Sequence, residues 1–264
     1  RYAGAKPVPI PLMEPTSYHP NLDDLSSKIT DRTRLIILNS PHNPCGSVLN
    51  KNELEQLGRI LRDREDIYIL SDEIYSEILY GGNHHSIAAE PGMLPRTIIL
   101  DGFSKTYAMT GWRLGYGVFP DELVPHIVKL AVNSVSCAST FSQRAAISAL
   151  DGPQESVRTM VTEFQRRRDA IVKGLREIPG MTCPEPDGAF YVFPSIRGLN
   201  VSSQRFEELS LQQAGVAALG GHAFGRFGEG HIRLSYANSL ENINKALERL
   251  DGLARRLRKN VGHE

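Results

Sequence analysis

The chain is poor in cysteine. Cys45, Cys137 and Cys183 lie far apart and none belongs to a CxxC pair, which fits a reducing compartment better than a disulfide framework. It also lacks net charge: 30 Lys and Arg balance 30 Asp and Glu, so no overall field points to a nucleic acid or a membrane surface. No apolar run reaches the roughly 18 residues of a membrane span, and no signal peptide opens the chain. The cytoplasm is the expected location. No metal-ligand spacing of His or Cys is present; His84 and His85, adjacent in GGNHHSIAAEPG, have no third ligand nearby and read as loop residues. Internal repeats and low-complexity tracts are absent as well.

What remains is an ordinary globular composition in 264 residues, long enough to bury the core of one large domain or two modest ones. The first residue is Arg1, and RYAGAKPVPIPL reads like the middle of a domain, so the natural protein is expected to start upstream. Candidate strands are LIILN (35–39), IYILS (67–71), TIILD (97–101) and RLGYGVF (113–119). The first three are nearly continuous in Ile and Leu, as parallel strands covered on both faces would be. Between the first two, Asn50 and Glu53 frame a capping box, and Leu54, Leu57, Ile60 and Leu61 supply an apolar stripe. That is a βαβ rhythm, and ligands of such sheets bind beyond the carboxyl ends of the strands. Asn39, Ser71 and Asp101 each close a strand there.

Residues 121–150 predict helix with a Ser-rich interruption at 134–142. A longer helix follows over roughly 154–177, with Val157, Val161, Phe164, Ile171, Val172 and Leu175 as its stripe. After the breaker IPGMTCPEPDG come short strands near 189–193 and 231–236 and helices near 202–214 and 239–258. The boundary is placed within the long helix, giving 1–153 as a larger domain and 154–264 as a smaller α+β domain. The basic end LARRLRK (253–259) reads as the solvated face of a terminal helix.

Three strand-end segments carry candidate chemistry. Lys105, in DGFSKTYAMTGWRLGY, is either surface charge or an amine able to form an imine with an aldehyde; Ser104 and Arg113 suit an oxyanion such as phosphate. Asp72 and Glu73, in SDEIYSEILY, are solvated acids, a metal pair, or a carboxylate awaiting a buried cation such as a protonated pyridine nitrogen, with the Tyr75 phenol in reach. The turn NSPHNPCG (39–46) is stiffened by Pro and Gly, and Asn43 is its most plausible hydrogen-bonding side chain. Tyr107 and Trp112 flank the lysine and suit core packing or a cofactor equally; Cys137, in SVSCAST, reads as a small buried hydrophobe.

Together these segments resemble the class I and II aminotransferase family, fold-type I enzymes that use pyridoxal phosphate (PLP), and most of all its branch of prokaryotic aspartate and aromatic aminotransferases. NSPHNPCG matches the family's N-x-P-x-N-P-T-G turn, SDEIY its S-D-E-I-Y segment, and SKTYAMTGWRLG its S-K-x-x-x-x-x-G-W-R-x-G segment; PDGAFYVFP (186–194) and GHIRLSYA (230–237) match two further signatures. The resemblance implies a PLP-dependent transferase-like α/β fold: a mostly parallel sheet with helices on both faces, incomplete at the N-terminus, plus the smaller C-terminal α+β domain. It implies Lys105 as the Schiff-base lysine and Asp72 as partner of the pyridine nitrogen. Asn43 and Tyr75 would hold the phenolic oxygen, Ser104 and Arg113 the phosphate, and Arg233, with Asn43, the substrate's α-carboxylate. The Asn43–Pro44 bond resembles one that is cis in the family. A homodimer is implied, and ping-pong transamination between an amino acid and a 2-oxo acid, aspartate ahead of aromatic donors.

Three departures stand out. Cys45 replaces the commoner Thr, as a packing change or a reactive thiol. Gly102 stands where many relatives have Ser, removing one hydroxyl from the phosphate. Roughly the first third of the family's polypeptide precedes the point where this chain begins, which leaves KPVPIPL (6–12) as an expected edge strand without its neighbour and predicts weak PLP binding by residues 1–264 alone. Competing readings are a PLP-dependent C–S or β-lyase, in which a His tends to replace Tyr75; the aminotransferase-like domain of a transcription regulator, to which the last third adds no basic recognition element; and a truncated, non-catalytic chain.

Overall fold

A computed structural model describes residues 4–261. Two compact units share the chain. One comprises residues up to Ile10, Pro20–Pro41 and Val48–Thr159; the other comprises Pro11–His19, His42–Ser47 and the chain from Met160 on. The second unit therefore borrows two short segments from the first half of the sequence.

The first unit is built on a four-stranded sheet, in the order β1 (Leu35–Asn39), β2 (Tyr68–Asp72), β3 (Thr97–Gly102) and β4 (Gly115–Val118). β1, β2 and β3 run parallel, with Leu35 opposite Tyr68 and Asn39 opposite Asp72; β4 returns antiparallel to β3. Parallel neighbours need a crossover, and α2 (Lys51–Leu61) supplies the one between β1 and β2. Its start is the expected capping box: the Asn50 side chain accepts from Glu53 N–H, and the Glu53 carboxylate accepts from Asn50 N–H. Leu54, Leu57 and Leu61 from α2, Leu25 from α1 (Leu22–Lys28), and Ile67 and Ile69 beside and within β2 form the buried cluster, with Ile36 and Leu38 packed on it. The alternate residues of β1 do not share this cover. Leu35 and Ile37 are 44% and 68% exposed, so the Ile/Leu run here is a one-sided edge strand. The sheet is followed by α3 (Val124–Ser134) and α4 (Thr140–Asp151), separated where the Ser-rich break was expected.

The long helix α5 (Glu155–Glu177) carries the chain into the second unit. Its three-stranded sheet is antiparallel, in the order β5 (Tyr191–Val192), β7 (Ile232–Ser235), β6 (Leu219–Gly220). α6 (Ser203–Ala214) and α7 (Leu240–Val261) pack on one another. Leu253 and Ala254 of α7 are buried while Arg255 and Arg256 are exposed, as a solvated basic face requires.

Two further expectations fail. Residues 6–12 form no strand: Pro7, Pro9 and Pro11 remove the N–H from alternate residues. Cys137 is exposed, not buried, because it lies in the break between α3 and α4 where no element covers it.

Candidate active site

In the first unit the polar residues collect at the carboxyl ends of the parallel strands. Asp72 is the last residue of β2, not the one after it, and the Asn39 side chain at the end of β1 donates to its carbonyl at 3.1 Å. The Asp72 carboxylate accepts from Ile74 N–H at 3.3 Å. Burial pushes its proton affinity up, Glu73 adds to the rise, and the Ile74 bond offsets part of it. Lys105 follows β3 in a turn, with its Nζ 5.8 Å from the centre of the buried Tyr75 ring. Ser104 is half-buried. Arg113 is exposed, in a left-handed conformation at φ 54°, and donates through one guanidinium nitrogen to Thr110 O at 2.9 Å. The turn carrying these residues is packed by Phe103, Met109 and Ala146 of α4.

These residues fit PLP on the chemistry of the donor set. Asp72 is half-buried and, among the described residues, makes no ion pair; a carboxylate so placed gains most from a cation with a directed N–H, as a protonated ring nitrogen is. Lys105 supplies an amine, and Ser104 and the remaining donors of Arg113 suit a phosphate. Gly102 is explained by packing. A Cβ there would meet Gly115 Cα at 2.9 Å and Leu114 O at 3.2 Å, so the close pairing of β3 with β4 excludes a serine.

In the second unit, Arg233 donates to Asn43 Oδ1 at 3.1 Å. The guanidinium lies 4.7 Å from the Tyr191 ring centre and 5.3 Å from that of Phe224. Asn43–Pro44 is cis as expected, and Ser40–Pro41 is cis as well. The turn is locked in place through Gly46, at φ 74°, whose carbonyl accepts from Asp187 and Gly188 N–H at 2.9 Å each. A Cβ on Gly46 would meet Pro186 Cβ at 2.5 Å. Cys45 packs with Tyr18 and Phe193, and burial pushes its thiol up to about 12, so the departure from Thr is a packing change. Beside it, burial pushes the His42 imidazole down to about 4, and its Nδ1 has no partner.

The sequence reading missed a buried polar cluster behind Asp72. Glu73 accepts from Ser71 Oγ at 2.8 Å and Ser86 Oγ at 2.6 Å, and pairs with His84 Nε2 at 2.8 Å. His84 is thus committed to Glu73, and no metal-ligating cluster exists among the described residues. The available signal was the strand period: adjacent residues at a strand end point to opposite faces, which separates Asp72 from Glu73. Tyr107 stacks on Phe103 at 5.6 Å, while Trp112 is 46% exposed and is not core.

Residues 1–250 match the family described as aminotransferase class I and II. The chain is 41% identical over 256 residues to an aspartate aminotransferase of Pyrococcus abyssi, covering 96% of this chain and 65% of the relative. It is 41% identical over 252 residues to an aromatic-amino-acid aminotransferase of Thermococcus litoralis, covering 94% and 64%. The chain thus spans just under two thirds of these relatives. Among solved structures, the aromatic aminotransferase from Pyrococcus horikoshii superposes with a TM-score of 0.92 at 42% identity, over 97% of this chain and 69% of that one.

Proposed function

The chain belongs to the class I and II aminotransferase family, and from that membership we propose that it catalyses PLP-dependent transfer of an amino group from an L-amino acid to a 2-oxo acid, with aspartate the favoured donor and aromatic amino acids second. The activities of its relatives, aspartate and aromatic aminotransferases, support both donors. When bound, PLP supplies the electron sink that makes the donor's Cα–H acidic. Lys105 would hold the cofactor's aldehyde carbon, and its amine would serve as the base that takes the proton from the donor's Cα. Asp72 would keep the ring nitrogen protonated. Asn43 and Tyr75 would hold the phenolic oxygen, and Ser104 and Arg113 the phosphate. Arg233 receives the α-carboxylate of donor and acceptor alike, a role that suits a planar fork of donors.

The observation that carries this reading is Asp72: a half-buried strand-end carboxyl with raised proton affinity and no cation partner among the described residues. Borohydride reduction of the PLP-loaded protein followed by peptide mapping tests it. The cofactor mass is expected on Lys105 and is lost in Lys105→Ala; its appearance on another lysine overturns the assignment. Release of the donor's nitrogen as free ammonia, without its retention for transfer to a 2-oxo acid, identifies a lyase. The protein is further proposed to act as a homodimer. α3 buries no residue and exposes Val128, Leu130 and Val132, apolar surface of the kind that drives self-association, which sedimentation measures.

A further inference from the structure

We propose that Tyr191 and Phe224 form an aromatic clamp that fixes the Arg233 guanidinium for carboxylate recognition, making both rings positioning residues of the substrate site. This rests on the assignment of Arg233 to the substrate carboxylate. Tyr191 pairs with Ser235 across β5 and β7, which puts Arg233, two residues earlier on β7, diagonally opposite on the same face. The guanidinium carbon lies 4.7 Å from that ring centre. Phe224, from the 3₁₀ turn Gly221–Phe224, approaches at 5.3 Å. Phe224 is itself braced: it meets Phe193 edge-on at 5.7 Å, and Phe193 stacks on the buried His231 at 5.1 Å with planes 6° apart.

A guanidinium held over ring faces by cation–π attraction needs no hydrogen-bond acceptor for that contact. Asn43 takes one donor, at 3.1 Å, which leaves donors of the fork for a carboxylate. An arginine without such walls must lose its rotamer freedom when the ligand binds; here one wall, Tyr191, is buried on β5, and the other, Phe224, is partly buried against Phe193. The rings touch the guanidinium and act through it, so their effect falls on recognition of the carboxylate shared by all donors and not on the choice of side chain.

The test is a titration of the PLP-loaded protein with 2-methylaspartate, which has no removable proton at Cα and so reports binding alone, together with donor KM and kcat. Phe224→Leu and Tyr191→Leu are each expected to weaken binding about fivefold, the scale of one cation–π contact, and to raise KM for aspartate and phenylalanine by the same factor at little cost to kcat. Phe224→Tyr and Tyr191→Phe, which keep a ring, are expected to restore binding. In an Arg233→Lys background, Phe224→Leu is expected to add less than twofold. Ring removal that leaves binding unchanged, while Arg233→Lys alone still weakens it, overturns the clamp and leaves the carboxylate reading standing. A penalty of the same size from ring-keeping and ring-removing variants also overturns it, as a purely structural effect. If Arg233→Lys leaves every donor unaffected, the carboxylate assignment itself fails and the clamp with it. Melting temperatures of the variants without PLP identify any binding loss caused by unfolding.

Discussion

At the residue scale, Asp72 and Glu73 show how one strand end separates two carboxylates into different tasks. Asp72, lifted by burial, has no internal cation among the described residues and is available to a ligand. Glu73 has its demand met within the protein: burial pushes its proton affinity up, but hydrogen bonds from His84, Ser86 and Ser71 more than offset this, and the net direction is down. Asp72→Ala is therefore expected to leave the fold intact and to lower kcat by about a hundredfold, more than it raises donor KM, because the lost interaction acts where negative charge develops in the transition state. An unchanged kcat removes Asp72 from the mechanism. The cysteines divide by the same logic of burial. Cys45 and Cys183 are buried with thiols pushed up to about 12, and Cys137 is exposed. Alkylation of the folded protein with iodoacetamide should mark Cys137 alone; early modification of Cys45 would contradict the packing described for the turn.

At the scale of elements, two local features have measurable weight. Asn50→Ala removes the capping box of α2 and is expected to cost about 1 kcal/mol in denaturant unfolding. Gly102→Ala forces a Cβ to within 2.9 Å of Gly115 Cα, backbone that cannot move aside without parting β3 from β4, and is expected to cost roughly 1–3 kcal/mol. A neutral Gly102→Ala would show that the two strands can separate without penalty. Elements of this kind were legible in the sequence where one short window holds all the information: the capping residues and stripe of α2, the break between α3 and α4, and the polar ends of the strands. Strand β6 was not legible, because two residues, Leu219 and Gly220, carry no periodicity. Nor was the company Arg233 keeps, since Asn43, Tyr191 and Phe224 come from three distant stretches and no local pattern joins them. For residues 6–12 the signal against a strand is itself in the sequence, as the missing N–H donors of Pro7, Pro9 and Pro11.

At the scale of the molecule, buried titrating groups set how stability responds to acid. His42 is pushed down to about 4 by burial, and His231 is lowered by burial and by Arg197. An imidazole depressed in the folded state binds its proton better when the chain is unfolded, so its contribution is complete above the ordinary value of 6.5 and is lost as pH falls toward 4. Asp72, Asp101 and Asp187, raised by burial, act in the opposite sense: the folded state holds their protons more tightly, which offsets the loss toward the acid end. The melting temperature is accordingly expected to fall as pH is lowered from 7 to 5, and His42→Asn to flatten that slope; an identical slope in the variant would show that His42 is not the group responsible.

The division of the chain has a consequence for inheritance. The backbone passes between the two units after residues 10, 19, 41, 47 and 159, so no single cut in the gene separates them. A recombination at 159/160 between two relatives would take Arg233, Tyr191 and Phe224 from one parent and Asn43, with the Tyr18 and Cys45 that pack on Phe193, from the other. Residues that must agree in shape would then have separate histories. The second unit is a neighbourhood and not a module: what travels together through recombination is not what folds together, and chimeras are expected to survive only when 11–19 and 42–47 are exchanged along with everything from 160 on.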